Sequence, residues 1–139
     1  MKNKFTIGVF GIIVDKNKRV LLCHRRDYDL WNLPGGALEK SEAPLKGVIR
    51  EIKEETGLKA EIINLIGVYN NPEKDNIVFS FECRIINGKI TLTDEADKVK
   101  YLSLKDLPKN TVPKQVERIK DYFDWQSKII FKTQKENQV

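Results

Sequence analysis

Apolar residues fall in short runs along most of the chain, and the period of each run predicts a strand or a helix. Residues 5–14 are rich in Ile, Val and Phe and predict a first strand. Residues 15–18 read as a turn and residues 19–26 as a second strand, so the pair predicts a hairpin. Residues 59–70 carry Ile62, Ile63, Leu65, Ile66 and Val68, too apolar for a surface edge. Residues 76–86 alternate, with Ile77, Phe79 and Phe81 on one face. Asn87-Gly88 is a hairpin signal and predicts a partner strand over residues 89–93. Residues 99–104 predict a last strand. Pro113 opens a final helix to about residue 128, with Val116, Ile119, Tyr122 and Phe123 as its buried stripe and residues 129–131 as an extension.

Between the second and third of these strands the pattern changes to a helical period. Val48, Ile49 and Ile52 fall on one helix side, suited to a core. Ser41 is placed to cap this helix, Pro44 is tolerated in its first turn, and Gly57 is placed to end it in a left-handed conformation. Glu51, Glu54 and Glu55 stand at i, i+3 and i+4, which brings three carboxylates to one patch. Arg50 precedes Glu54 by four residues and can pair with it. A Glu-rich helix with interspersed Lys and Arg is most often a solvated face. Three like charges on one patch nevertheless repel, and a divalent cation would neutralise them; hard cations take oxygen ligands and leave positions for phosphates.

Composition narrows the classes. A chain of 139 residues, 40% apolar, suits one domain with a real core, here residues 1–128 followed by a polar tail over 129–139. No apolar run is long enough to cross a membrane and the N-terminus carries no cleavage pattern, so no membrane partner and a cytoplasmic location are expected. Cys23 and Cys83 are far apart and form no CxxC pair with His24, the single histidine, so a zinc site is not expected and both thiols read as core residues. The net charge of +5 suits either a nucleic-acid surface or attraction of a small polyanion. Scattered lysines favour the second, and nucleic acid is not expected as a partner.

The whole of residues 36–58 is more specific than its helix. It resembles the Nudix box, a pattern of nine fixed positions, all filled here at the right spacing by Gly36, Glu42, Arg50, Glu51, Ile52, Glu54, Glu55, Gly57 and Leu58. The approach Trp31-Asn32-Leu33-Pro34-Gly35 is similar to that of the same family. Ser41 and Gly47 stand where Gly and Ala are frequent, both at unspecified positions. The order of elements argues for a mixed α+β domain, and the resemblance sharpens this to the Nudix fold, an α/β/α sandwich with a mixed β-sheet.

The resemblance implies hydrolysis of a pyrophosphate bond in a nucleoside diphosphate derivative, with Mg²⁺, or Mn²⁺ in its place, as cofactor. It implies Glu51, Glu54 and Glu55 as metal ligands together with a carbonyl at Gly35 or Gly36. Arg50 orients these carboxylates, and Glu42 supports the loop as the partner of Arg50. Glu51, Glu54 or Glu95 is the candidate base, with a solvated loop as the alternative for Glu95. Glu39 is a further candidate beside a second metal. Arg25 and Arg26 end a strand just before the glycine loop; their guanidinium forks suit phosphate oxygens, and a solvated strand end is the alternative. Tyr28, Trp31 and Tyr69 are candidates to stack on a base, against packing roles. The loop at Pro72 is loosely similar to relatives that cleave ADP-ribose, which favours ADP-ribose or another nucleotide sugar. Nucleoside triphosphates, oxidised dNTPs among them, and dinucleoside polyphosphates are the alternatives, and a non-catalytic nucleotide sensor is the reading from another class. Many relatives are dimers, so a homodimer is compatible with the resemblance.

Overall fold

Two sheets, one of five strands and one of three, share their cores with two helices. The computed structural model describes residues 4–135. Strands β1 (Thr6–Ile13), β2 (Val20–Arg25), β3 (Trp31–Asn32) and β4 (Gly35–Ala37) precede helix α1 (Pro44–Thr56). Strands β5 (Lys59–Asn71), β6 (Asn76–Asn87) and β7 (Ala96–Leu102) follow, then helix α2 (Pro113–Phe123) and strand β8 (Ile130–Thr133). One sheet has the order β4-β1-β6-β5-β8 and is mixed, because β1 pairs parallel with β6 and β5 parallel with β8. The other, β3-β2-β7, is antiparallel.

The alternation along β1 and β2 explains the layering. Val9, Ile13 and Leu21 join Val48 and Ile52 of α1, with Phe81 and Cys83 from β6, in one core. Ile12, Val20 and Leu22 point the other way and join Trp31, Leu33 and Ile119 of α2 in a second core. Strands buried on both faces need near-continuous apolar runs, which is why residues 9–13 and 20–23 are almost uniformly buried. The expected α/β/α sandwich with a mixed sheet is what the chain forms. Cys23 and Cys83 are free and buried on β2 and β6, as expected. Among the described residues no helix is long and apolar enough to cross a membrane.

Several local expectations are overturned. The turn after β1 exists, but β1 and β2 share only the bridge between Val14 and Val20 and then diverge into different sheets. Ser41 does not cap α1: it lies at φ +64° in the preceding turn, and Ala43, without a side-chain cap bond, precedes Pro44 at the helix start. Gly57 does end α1, at φ +78°, its N–H donating to the Lys53 carbonyl. Asn87-Gly88 makes no hairpin and residues 89–93 form no strand. Gly88 instead sits at φ +88° with its missing Cβ 2.9 Å from the Gly57 carbonyl, and Thr91 N–H donates to Thr56 O at 2.8 Å. The segment thus closes over the end of α1. The strand expected over residues 99–104 begins earlier, at Ala96, and ends at Leu102.

The C-terminal part differs most. Helix α2 stops at Phe123, and Trp125 Nε1 donates to Lys128 O at 2.8 Å across the turn that follows. The expected extension over residues 129–131 is replaced by β8, whose Ile, Phe and Thr side chains prefer extended backbone, paired parallel to β5. The first part of the expected polar tail is therefore a strand, and Gln134 behind it is 5% exposed and bonded to α2 through Arg118, Lys114 and Glu117. The end of that tail, residues 136–139, lies outside the described residues.

Candidate active site

Helix α1 sets the spacing of four charged side chains, Arg50, Glu51, Glu54 and Glu55. Val48 and Ile52 are fully buried, which fixes the rotation of the helix and turns Glu51 and Glu55 toward β4. Glu55 is 6% exposed, and its Oε1 accepts the Gly35 N–H at 3.1 Å. The glycines of β4 make room for this contact. A Cβ on Gly36 would lie 2.8 Å from the Glu51 carboxylate, and one on Gly35 would lie 2.3 Å from the Val9 carbonyl. Glu95, in the bend before β7, completes a trio: Glu51, Glu55 and Glu95 each offer an oxygen, all within 4.8 Å of one another.

Electrostatics in the trio are unbalanced. Burial pushes the Glu55 carboxyl up to about 8, with Glu51 and Glu95 adding repulsion against the Gly35 N–H. Burial also raises Glu51, and the neighbouring Arg50 lowers it only in part. A site that holds carboxylates this close, with one of them buried, fits a hard divalent cation by the chemistry of its donors.

Arg50 organises the outer side. Its Nε and Nη2 form a two-pronged contact with Glu42 at 2.6 and 2.9 Å, and its Nη1 reaches Glu54 at 2.9 Å and Glu51 at 3.1 Å. Nη2 also donates to the Ala37 carbonyl at 3.4 Å. The guanidinium holds the Glu42 carboxyl down at about 2, helped by the Glu39 N–H. Glu39 lies 3.5 Å from Nη1, on the Arg50 side and not in the trio. Glu54 likewise stands on Arg50, outside the trio.

The trio forms one wall of a cavity of about 620 Å³. Arg25 and Arg26 line the same cavity, as do Phe10, Asn32 and Gln115. In this state Arg25 is occupied by Asp27, at 2.7 and 2.6 Å, and lies 5.6 Å from the Tyr28 ring centre. Arg26 Nε donates to the Thr93 carbonyl at 2.7 Å, which ties this loop to the segment bearing Glu95. Tyr28 is 65% exposed and meets Arg25 rather than lining the cavity.

Two expected stacking residues are corrected. Trp31 is packed in the core under α2. Tyr69 is 1% exposed and donates its hydroxyl to Asp121 at 2.9 Å. Both are too deep to meet a base. The Pro72 loop is not among the residues lining the cavity. His24, read as an ordinary strand residue, instead bridges two carboxylates, Nδ1 to Asp97 at 2.7 Å and Nε2 to Asp29 at 2.8 Å. Those two bonds raise its pKa. Asn32 and Gln115 were missed as site residues. Their signal is faint: an amide in the approach to the glycine loop and another in the first turn after Pro113.

A mixed sheet between two helices, with an arginine-braced acidic helix facing a glycine loop, defines the Nudix class of hydrolases. The NUDIX domain family matches residues 4–126, and the chain belongs to it. It is a Nudix pyrophosphohydrolase, an enzyme of a class that generally uses divalent metals. The chain is similar to the ADP-ribose pyrophosphatase of Methanocaldococcus jannaschii, 35% identical over 130 residues that cover 87% of this chain and 75% of the relative. It is equally similar to a Bacillus subtilis protein provisionally named 8-oxo-dGTP diphosphatase, 35% identical over 124 residues covering 85% and 80%. In fold it matches the crystal structure of a Nudix hydrolase from Nitrosomonas europaea with a TM-score of 0.85 at 21% identity, over 98% of this chain and 82% of that one.

Proposed function

We propose that this enzyme cleaves the pyrophosphate bond of a nucleoside diphosphate derivative with Mg²⁺ or Mn²⁺ bound, and that ADP-ribose or a similar nucleotide sugar is its substrate. The observation that carries the reading is the trio Glu51, Glu55 and Glu95, gathered at one wall of a cavity whose other walls bear two arginines. A bound divalent cation neutralises phosphate charge and acidifies water. Glu51, Glu55 and Glu95 would hold it, with Gly36, packed against Glu51, as the main-chain ligand. Arg50 keeps Glu51 in place and occupies Glu54, so Glu54 acts through Arg50. Arg25 can exchange Asp27 for a phosphate oxygen without desolvating a new charge, because the pair is exposed. A cavity of this size holds a nucleoside as well as the phosphates.

The choice of a nucleotide sugar rests on the similarity to the archaeal ADP-ribose pyrophosphatase. The equal similarity to the Bacillus subtilis protein favours a second reading, cleavage of nucleoside triphosphates including oxidised ones. A panel of ADP-ribose, other nucleotide sugars, normal and oxidised triphosphates and dinucleoside polyphosphates, incubated with Mg²⁺ or Mn²⁺ and resolved by chromatography, decides between them. AMP with ribose 5-phosphate is the expected product pair. Monophosphate with pyrophosphate from triphosphates alone overturns the sugar reading. Glu95→Gln separates two roles for that residue: a fall in kcat at unchanged metal affinity makes it the base, and parallel losses make it a ligand only.

A further inference from the structure

The chain has a single histidine, and it joins the segments that carry the cavity's arginines and Glu95. His24 stands on β2, one residue before Arg25, with its side chain 12% exposed. Its Nδ1 lies 2.7 Å from the Asp97 carboxylate on β7, and its Nε2 lies 2.8 Å from the Asp29 carboxylate in the loop after β2. An ionised carboxylate can only accept a hydrogen bond, so both ring nitrogens donate, and only the doubly protonated imidazolium has two N–H groups. The Trp31 ring packs edge-on against the imidazole, 5.2 Å between centres. Lys98, paired with His24 across β2 and β7, opposes the imidazolium charge in part, and Arg26 acts on Asp97 from the loop side.

Each arm of this contact reaches a segment of the cavity wall. Arg25 N–H donates to Leu30 O at 3.0 Å and closes the loop that contains Asp29, the loop that bears Arg26 and Asp27. Asp29 is held from its far side by the Asn110 amide, which donates to its carbonyl at 2.7 Å and to its carboxylate at 3.0 Å. On the other arm, Asp97 stands two residues after Glu95. The Glu95 carbonyl accepts the Arg26 N–H at 3.2 Å, and Arg26 Nε reaches the Thr93 carbonyl at 2.7 Å. Arg25, Arg26, Asp27 and Glu95 all line the cavity. One imidazolium thus ties the arginine loop and the Glu95 segment to the same point on β2.

We propose that His24, as an imidazolium, is a positioning residue that clamps the loop of residues 26–30 and the start of β7 around the cavity, and that loss of its proton releases the clamp. The role rests on the pyrophosphatase reading of the same cavity. His24 touches no reacting group; it acts through Asp29 on the arginine loop and through Asp97 on the Glu95 segment. A neutral imidazole keeps one N–H, so one of the two carboxylates then faces a ring lone pair and is repelled. Asp29 is the one released, because its side chain is 88% exposed and regains water, whereas that of Asp97 is 36% exposed. The two carboxylates raise the pKa of His24 above its ordinary 6.5. The clamp is therefore complete below 6.5 and is lost as pH rises through the raised value.

The test reads the lone histidine directly by NMR. Its ring Hε1 resonance gives the titration midpoint and ¹⁵N relaxation gives the order of the loop, and neither needs turnover. In the parent protein the order parameters of residues 26–30 are expected to fall from about 0.85 toward about 0.6 as pH rises through that midpoint. Asp29→Asn, at an exposed position, is expected to lower the midpoint and to leave the loop mobile on both sides of it. His24→Gln cannot gain a proton, and its loop order is expected to be independent of pH. With ADP-ribose and saturating Mg²⁺, KM of the parent should rise about fivefold across the same midpoint, while His24→Gln shows the higher KM at every pH. Unchanged loop order across the midpoint, or a midpoint that Asp29→Asn does not lower, overturns the proposal, and so does a KM step that persists in His24→Gln. The two readings fail separately: a loop that loosens with the imidazole in a protein that hydrolyses no nucleotide removes the pyrophosphatase reading alone, and hydrolysis with a pH-independent loop removes the clamp alone.

Discussion

Each helix carries one arginine that faces inward, and the two are accommodated in opposite ways. Arg50 on α1 is a quarter exposed and surrounded by carboxylates, with Glu42, Glu51 and Glu54 all in hydrogen-bond reach. Arg118 on α2 is 5% exposed and lies over the rings of Phe10 and Tyr69, at 5.4 and 5.5 Å. Its Nε bonds Gln134 at 3.0 Å, and its Nη1 has no partner. Burial pulls the Arg118 pKa down to about 10, whereas the Glu42 bonds raise that of Arg50. The α1 layer stores an excess of negative charge and spends an arginine to hold it in shape. The α2 layer buries its arginine as a packing piece, its stem and plane filling space between rings. The first arrangement is needed only if something positive arrives; the second serves the fold itself.

Substitutions can break this contrast, most strongly at the trio. Glu55→Gln and Glu51→Gln should each lower kcat/KM about a thousandfold, since metal-borne charge stabilisation is worth several kcal/mol. Because the Glu55 charge is disfavoured by burial, the thermal midpoint of Glu55→Gln in chelator should equal or exceed that of the parent protein. Loss of folding instead of activity would refute the site assignment. Chelator alone should abolish turnover of the parent enzyme, and Mg²⁺ or Mn²⁺ should restore it.

A smaller loss is expected at the residues that hold the trio's carboxylates in place. Arg50→Lys keeps the charge but loses the fork onto Glu42, and activity should fall about ten- to a hundredfold, as for residues that orient ligands. Glu54→Gln should fall in the same range, less than Glu55→Gln. A loss as large as that of Glu55→Gln would move Glu54 into the trio.

On the other helix the readout should be stability. Arg118→Ala should cost about 2 kcal/mol in denaturant unfolding through lost packing on the two rings. Arg118→Met should change stability by less than about 1 kcal/mol, because it refills the space and removes a buried donor without a partner. Activity of Arg118→Met should stay within about twofold of the parent; a large activity loss at full stability would break the contrast between the helices.

The smallest expected effect concerns acid. The Glu42 carboxyl is held near 2 in the folded protein against an ordinary value of 4.5. Its contribution is therefore complete above about 4.5 and is lost as pH falls toward 2. Glu42→Gln should lower stability at neutral pH, and the difference from the parent should shrink as pH falls below 4.5 and vanish only below about pH 2. A difference that persists in acid would mean that shape, not charge, is what Glu42 supplies.

Local signals carried much of this protein. The spacing of Val48 and Ile52 oriented α1, Gly57 stopped it, and the i, i+3, i+4 glutamates with Arg50 marked the acidic patch, because all of these act within one helix of fixed geometry. The failures share a cause. Ser41, Asn87-Gly88 and residues 129–131 look right for a cap, a hairpin and a helix extension, but distant partners took their backbone groups: Thr91 closes on Thr56, and β8 finds β5. Trp31 and Tyr69 looked like ligand-facing aromatics because sequence does not say which side of the sheet a strand residue faces when both sides are buried.

By itself, then, the sequence determined the core-facing side of α1, its end at Gly57 and the order of its charges, since helical periodicity and a glycine stop are short-range. Only the tertiary structure decided that Glu95 and not Glu54 stands with Glu51 and Glu55, and that the buried Leu33 bonds both Asn32 and Gln115. Those groups are separated by tens of residues, and what brings them within a few ångströms is the pairing of β2 with β7 and the docking of α2, contacts that no local pattern encodes.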